Sequence, residues 1–124
     1  MNFITTDAAP IPGGHYSQAV VHNGFVFVAG HLAFVPGQKE HTPGPIGEQT
    51  ERTLRNIEAI LQAAGSGLDK VVQMTIYVSD MEMWSEVNAT YARIMGSHKP
   101  ARAIVPVKAL HYGYGIEIQA VATA

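Results

Sequence analysis

The stretch Tyr16-Ser17-Gln18-Ala19-Val20-Val21-His22-Asn23-Gly24-Phe25-Val26-Phe27-Val28-Ala29-Gly30 decides the fold. Asn23-Gly24 separates two runs rich in β-branched and aromatic residues. A two-residue connection between strands needs positive φ at both central positions, which Asn and Gly tolerate best. The stretch therefore reads as a β-hairpin. Upstream, Ala8 to Gly14 contains Pro10, Pro12, Gly13 and Gly14 and forms a loop feeding Tyr16. Downstream, residues 35–47 hold Pro36, Gly37, Pro43, Gly44, Pro45 and Gly47, a long loop that is either a lid or a plain connection.

Past that loop the periodicity changes. Glu48 to Ala64 reads as a helix, with Thr50, Leu54, Ile57, Leu61 and Ala64 on one stripe and Glu51, Arg55, Glu58 and Gln62 facing away. Gly65 supplies its left-handed stop. Asp69 to Asp80 alternates as a strand, placing Val72, Met74, Ile76 and Val78 on one face and Val71, Gln73, Thr75 and Tyr77 on the other. A second helix runs from Met81 to Met95 on a stripe of Trp84, Val87, Tyr91 and Ile94, and Gly96 ends it. Pro100 then turns the chain into a strand containing Arg102, and a last strand, Gly115 to Ala122, sets Ile116, Ile118, Ala120 and Ala122 on one face. The order is that of an α+β domain with both helices on one face of a sheet of five or six strands. The other sheet face, with Tyr16, Gln18, Gln73, Thr75, Arg102, Glu117 and Gln119 among apolar neighbours, suits a subunit interface enclosing small polar pockets.

Composition agrees with one domain covering residues 1–124. A chain of this length buries about 65% of its extended surface, too little for two ordinary domains. Charged residues make up only 15% of the chain and apolar ones 47%, which leaves little polar surface for a solitary small domain and points to self-association. The net charge is -2, with no basic run, so nothing attracts a phosphate backbone by bulk electrostatics. There is no cysteine, which removes disulfide and thiolate chemistry. No basic start followed by an apolar core and no span-length apolar window is present, so the default is a soluble cytoplasmic protein with no membrane partner.

Individual residues admit two readings each. Arg102, between Ala101 and Ala103-Ile104-Val105, is either an edge-strand arginine snorkelling to water or a guanidinium awaiting a carboxylate, since its fork matches two oxygens at once. Glu117 follows it across the loop Lys108-Ala109-Leu110-His111-Tyr112-Gly113-Tyr114-Gly115, and strands joined this way can bring both side chains to one pocket or merely form a structural ion pair. Asn88 is a helix-flank polar group or a buried one, and Tyr16 is a pocket wall or sheet core. None of the six histidines pairs at metal-ligand helix spacing. No phosphate-cradling glycine loop and no Gly-x-Ser-x-Gly elbow occurs.

Taken together, Gly14-His15-Tyr16-Ser17-Gln18-Ala19-Val20, Val28-Ala29-Gly30, Glu48-Gln49-Thr50 with Leu54-Arg55-Asn56-Ile57, Leu61-Gln62-Ala63-Ala64-Gly65-Ser66, Val87-Asn88 with Tyr91, Lys99-Pro100-Ala101-Arg102 and Ile116-Glu117-Ile118 with Ala120 resemble the Rid (reactive intermediate deaminase) or YjgF family, in order along nearly the whole chain. The resemblance implies a chorismate-mutase-like fold with a mixed sheet and two helices on one face, a homotrimer, and active-site clefts between subunits. It implies hydrolysis of 2-enamino and 2-imino acids to 2-keto acids and ammonia without metal or organic cofactor. It assigns Arg102 to the substrate carboxylate and Glu117 to placing the attacking water, with Tyr16, Gly30 and Asn88 lining or building the cleft. Two further positions lie by the same cleft: His31, where the family usually has Gln, and Ile104, in a pair with Ala103 where a small Ser or Cys pair is common.

Further departures from the family pattern are His15 for Pro, Pro106 for Gln and a more aromatic loop 111–115. They imply a substrate other than simple 2-aminoacrylate, such as a longer or unsaturated amino acid of the 2-aminomuconate kind. His15 and His31 either assist proton transfer or are packing variants. A non-catalytic small-molecule-binding trimer and an endoribonuclease are the competing functions, the latter disfavoured by the acidic charge balance.

Overall fold

Asn23 and Gly24 both adopt positive φ, 51° and 79°, so the hairpin turn forms as its sequence dictates. It joins β2 (Ala19–His22) to β3 (Phe25–His31) in antiparallel register. The computed structural model describes residues 1–124, and the remaining elements are β1 (Asn2–Ile4), α1 (Ile46–Ala63), β4 (Val71–Val78), α2 (Trp84–Met95), β5 (Ala101–Pro106) and β6 (Ile116–Thr123). All six strands form one mixed sheet in the order β1-β2-β3-β6-β4-β5. Strand β6 inserts antiparallel between β3 and β4, while β4 and β5 run parallel. A parallel pair needs a crossover, and α2 provides it.

Alternation along the strands separates the two sheet faces. Val26 and Val28 of β3, Met74, Ile76 and Val78 of β4, and Ile116, Ile118, Ala120 and Ala122 of β6 are buried beneath the helices with Leu54, Ile57, Ile60, Leu61 and Val87. A fully buried side chain of this size stabilises the fold by about 1.5–3 kcal/mol over its exposed state. The opposite face has no cover within the chain, and Phe3 and Phe27 are exposed on it. Helix α1 closes with a Schellman arrangement: Gly65 at φ 78°, the Gly65 amide on the Gln62 carbonyl and the Ser66 amide on the Leu61 carbonyl.

Four expectations need correction. Helix α1 begins at Ile46, two residues before Glu48, because Pro45 caps it with φ already fixed. A bulge between Val71 and Gln73 reverses the phase at the start of β4, so Val71 is in the core and Val72 is 42% exposed. Trp84 does not join the buried stripe of α2; it is 39% exposed, and Thr90 and Met95 are buried with Val87 and Tyr91. Strand β1 was not anticipated, since three residues are too short to show a period.

Candidate active site

A second bulge shapes the site. Between Val28 and His31, β3 carries one residue more than β6 opposite it, and such an insertion re-aims side chains locally. Val28 stays in the core, His31 is buried opposite Ile118, and Gly30 lies against Glu117. A Cβ at Gly30 would collide with Glu117 Oε2. The absent side chain is therefore the space that the carboxylate occupies.

Beside it opens a cavity of about 580 Å3 whose lining includes Tyr16, Gly30, His31 and Glu117. Tyr16 precedes β2 in the loop and is half-exposed, so it is cavity wall and not sheet core. Pro10, Ile11, Leu32, Phe34, His111 and Tyr112 are also in the wall. No lysine or arginine is among the lining residues. The His31 ring is buried with Nε2 unpartnered. Burial holds its pKa below the ordinary 6.5, partly opposed by a hydrogen bond to the Gln18 main chain, so the ring is neutral at pH 7.

Arg102, expected with Glu117 on the sheet face opposite the helices, lies elsewhere. On β5 it pairs with Met74, a core residue, and so points to the helix-covered face at the sheet's edge. Its Nη1 donates to Asn88 Oδ1 at 2.9 Å, and its guanidinium stands 4.8 Å from the centre of the Tyr91 ring, within cation–π range. Burial raises the Tyr91 pKa, Arg102 opposing that shift, and the Tyr91 hydroxyl is buried without a partner. Ile104, two residues on and on the same face, packs against the core. No carboxylate forms an ion pair with Arg102; the salt bridges of the chain involve Arg55 and Arg93.

The seven candidate residues thus fall into two groups. Tyr16, Gly30, His31 and Glu117 share the cavity, and Asn88, Arg102 and Ile104 share the β5 edge beneath α2. Within one chain the 108–115 loop does not unite Arg102 with Glu117: β4 lies between their strands, and Glu117 pairs with Tyr77, three residues along β4 from the Met74 that faces Arg102. The two side chains leave opposite faces of the sheet. His15 is exposed and outside the cavity lining. The reading of single residues did not single out Tyr91 as the ring under Arg102, although its place on the α2 stripe beside Asn88 carried the signal. Phe34 was also missed, since no local pattern marks it.

Comparison with known proteins places this geometry among relatives. A family model described as Endoribonuclease L-PSP matches residues 6–124. A RutC family protein of Pyrococcus horikoshii is 43% identical over 119 residues, covering 96% of this chain and 94% of that protein. The 2-iminobutanoate/2-iminopropanoate deaminase of Bos taurus is 38% identical over 119 residues, covering 96% of this chain and 87% of the bovine protein. The crystal structure of RidA from an Antarctic Psychrobacter superposes with a TM-score of 0.95 at 34% identity and covers 100% of both chains.

Proposed function

The chain belongs to the Endoribonuclease L-PSP family, the YjgF/Rid family, and from that premise we propose that it hydrolyses reactive 2-enamino and 2-imino acids to 2-keto acids and ammonia. The observation that carries this reading is a lone guanidinium without a protein carboxylate, held in place by Asn88 and Tyr91. A planar fork so prepared fits the carboxylate that every 2-imino acid carries.

The chemistry asks for positioning more than for a strong nucleophile. In the proposed reaction Arg102 binds the substrate carboxylate, and Glu117 takes a proton from water as the water oxygen bonds to C2. The C=N π pair moves onto nitrogen. Glu117 hands that proton to the nitrogen, which gives the neutral carbinolamine; it then takes the hydroxyl proton as the C=O bond forms and passes it to the amine as the C–N bond breaks, so that ammonia leaves and the carboxylate is regenerated. His31 stands in the cavity wall with its Nε2 buried and unpartnered, so in this reading it shapes the wall and does not reach the water.

Because Arg102 and Glu117 leave opposite sheet faces, the complete site takes them from two copies. The uncovered face with exposed Phe3 and Phe27 supports the association, and the assembly proposed is the homotrimer. An endoribonuclease finds less support, since the net charge is -2 and no basic run attracts a phosphate backbone.

The test is release of ammonia and 2-keto acid from an imine generated in situ by an amino-acid oxidase. Arg102→Ala should abolish the acceleration, and Arg102→Lys should lose roughly 100-fold, since a point charge replaces the bidentate fork. Undiminished turnover by Arg102→Ala removes the mechanism; saturable 2-keto-acid binding with no acceleration of any imine favours a non-catalytic binder.

A further inference from the structure

We infer that the cavity beside Glu117 selects 2-imino acids whose side chain is a flat, uncharged ring, the imines of aromatic amino acids. This deepens the deaminase reading and rests on it. The observation is an aromatic wall that is fixed in place although it is exposed.

Tyr112, in the cavity lining, leaves 62% of its surface open to water. Its backbone is left-handed, φ 58° and ψ 23°, a conformation unusual for a bulky residue. Its ring is nonetheless held. His41 stacks on it with centroids 3.9 Å apart and planes 17° from parallel, and Phe34, also in the lining, meets it edge-on at 5.8 Å. Tyr114 supports the group from within: it is buried, lies edge-on to Phe34 at 5.2 Å, and its hydroxyl is 3.4 Å from His41 Nδ1. Rings from two separate loops thus fix the orientation of an aromatic that water could otherwise disorder. A strained and exposed aromatic locked by stacking is pre-organised for a flat apolar group.

Size and charge point the same way. The space beside Glu117, about 580 Å3 before a second copy adds its arginine, is far more than an ethyl or methyl side chain fills. Ile11 and Leu32 extend the apolar wall. A side chain ending in a second carboxylate, as in 2-aminomuconate, would meet Glu117 and find no lysine or arginine in this chain's lining, with Arg102 already taken by the first carboxylate. An uncharged ring has no such penalty.

The experiment compares two imines released by an amino-acid oxidase, one from L-phenylalanine and one from L-2-aminobutyrate, with semicarbazide trapping what the enzyme leaves. The expected result is a higher kcat/KM for the phenyl substrate. Tyr112→Ala should lower the phenyl-to-ethyl ratio roughly five- to tenfold, the size of a lost aromatic pair, while Tyr112→Phe should keep it. In parallel, calorimetry measures binding of 3-phenylpropanoate and butanoate, which reads the preference without catalysis. A kcat/KM for the ethyl substrate equal to or above that for the phenyl one overturns the inference and leaves the deaminase standing. Acceleration of neither imine overturns the deaminase reading instead, and the inference as stated goes with it. Equal affinity for the two acids, or a ratio unmoved in Tyr112→Ala, also sinks the aromatic assignment.

Discussion

Gly30 is required by what it leaves empty. Glu117 Oε2 occupies the place a Cβ would take, and because that oxygen ends a flexible side chain the fold can absorb the intrusion while the carboxylate cannot keep its position. Gly30→Ala should therefore change the unfolding midpoint little and lower kcat by roughly 10- to 100-fold, the cost of a displaced catalytic group. Full activity with a methyl at this position would show that Glu117 does not place the water. His31 gives a second prediction. Its pKa is depressed by burial, so between that lowered value and 6.5 the unfolded chain binds a proton that the folded chain refuses. Stability from the neutral ring is then fully present above pH 6.5 and is lost as the pH falls through the interval. Thermal unfolding of wild type and His31→Gln at about pH 8 and about pH 5 should show the wild type losing more on acidification. Parallel loss in both proteins would mean that His31 titrates normally.

At the scale of elements, the site depends on how the segment after β3 is tied to α1. Buried Asn56 on α1 donates from Nδ2 to the carbonyls of Leu32 at 3.3 Å and Phe34 at 2.8 Å, so a helix side chain sets the backbone of the cavity wall. Gln49 does the same at the other end, donating to the Gly44 carbonyl at 2.7 Å and accepting from the Gly115 amide at 2.9 Å. Asn56→Ala leaves the Leu32 and Phe34 carbonyls short of a donor and should cost about 1–3 kcal/mol, read as a lowered urea midpoint. An unchanged midpoint would show that water replaces the amide freely. The elements themselves were legible: the hairpin from Asn23-Gly24, α1 from its stripe, and β6 from Ile116, Ile118, Ala120 and Ala122. The bulges were not. An extra residue is specified by the partner strand, so the alternation of Val71 and Val72 reads equally well in either phase.

For the whole molecule the consequential fact is the separation of Arg102 from Glu117 by one strand and by the sheet itself. If the site joins the arginine of one copy to the glutamate of the next, two inactive variants should repair each other. Arg102→Ala and Glu117→Gln chains, unfolded together in equal amounts and refolded, should regain about a quarter of wild-type activity, because random assembly brings an intact arginine and an intact glutamate to that fraction of interfaces. A mixture as inactive as its components would place both residues' work within single chains. Light scattering on the same samples gives the mass of the assembly, and a stable monomer would leave the proposed site incomplete.

By itself the sequence determined the hairpin and the buried stripes of α1 and β6, because these are set by neighbours within a turn or two of chain. Tertiary structure alone decided which of the candidate residues meet. Strand order, two single-residue bulges and the side of the sheet from which Arg102 and Glu117 emerge depend on contacts between segments far apart in the chain, where no local spacing carries the information.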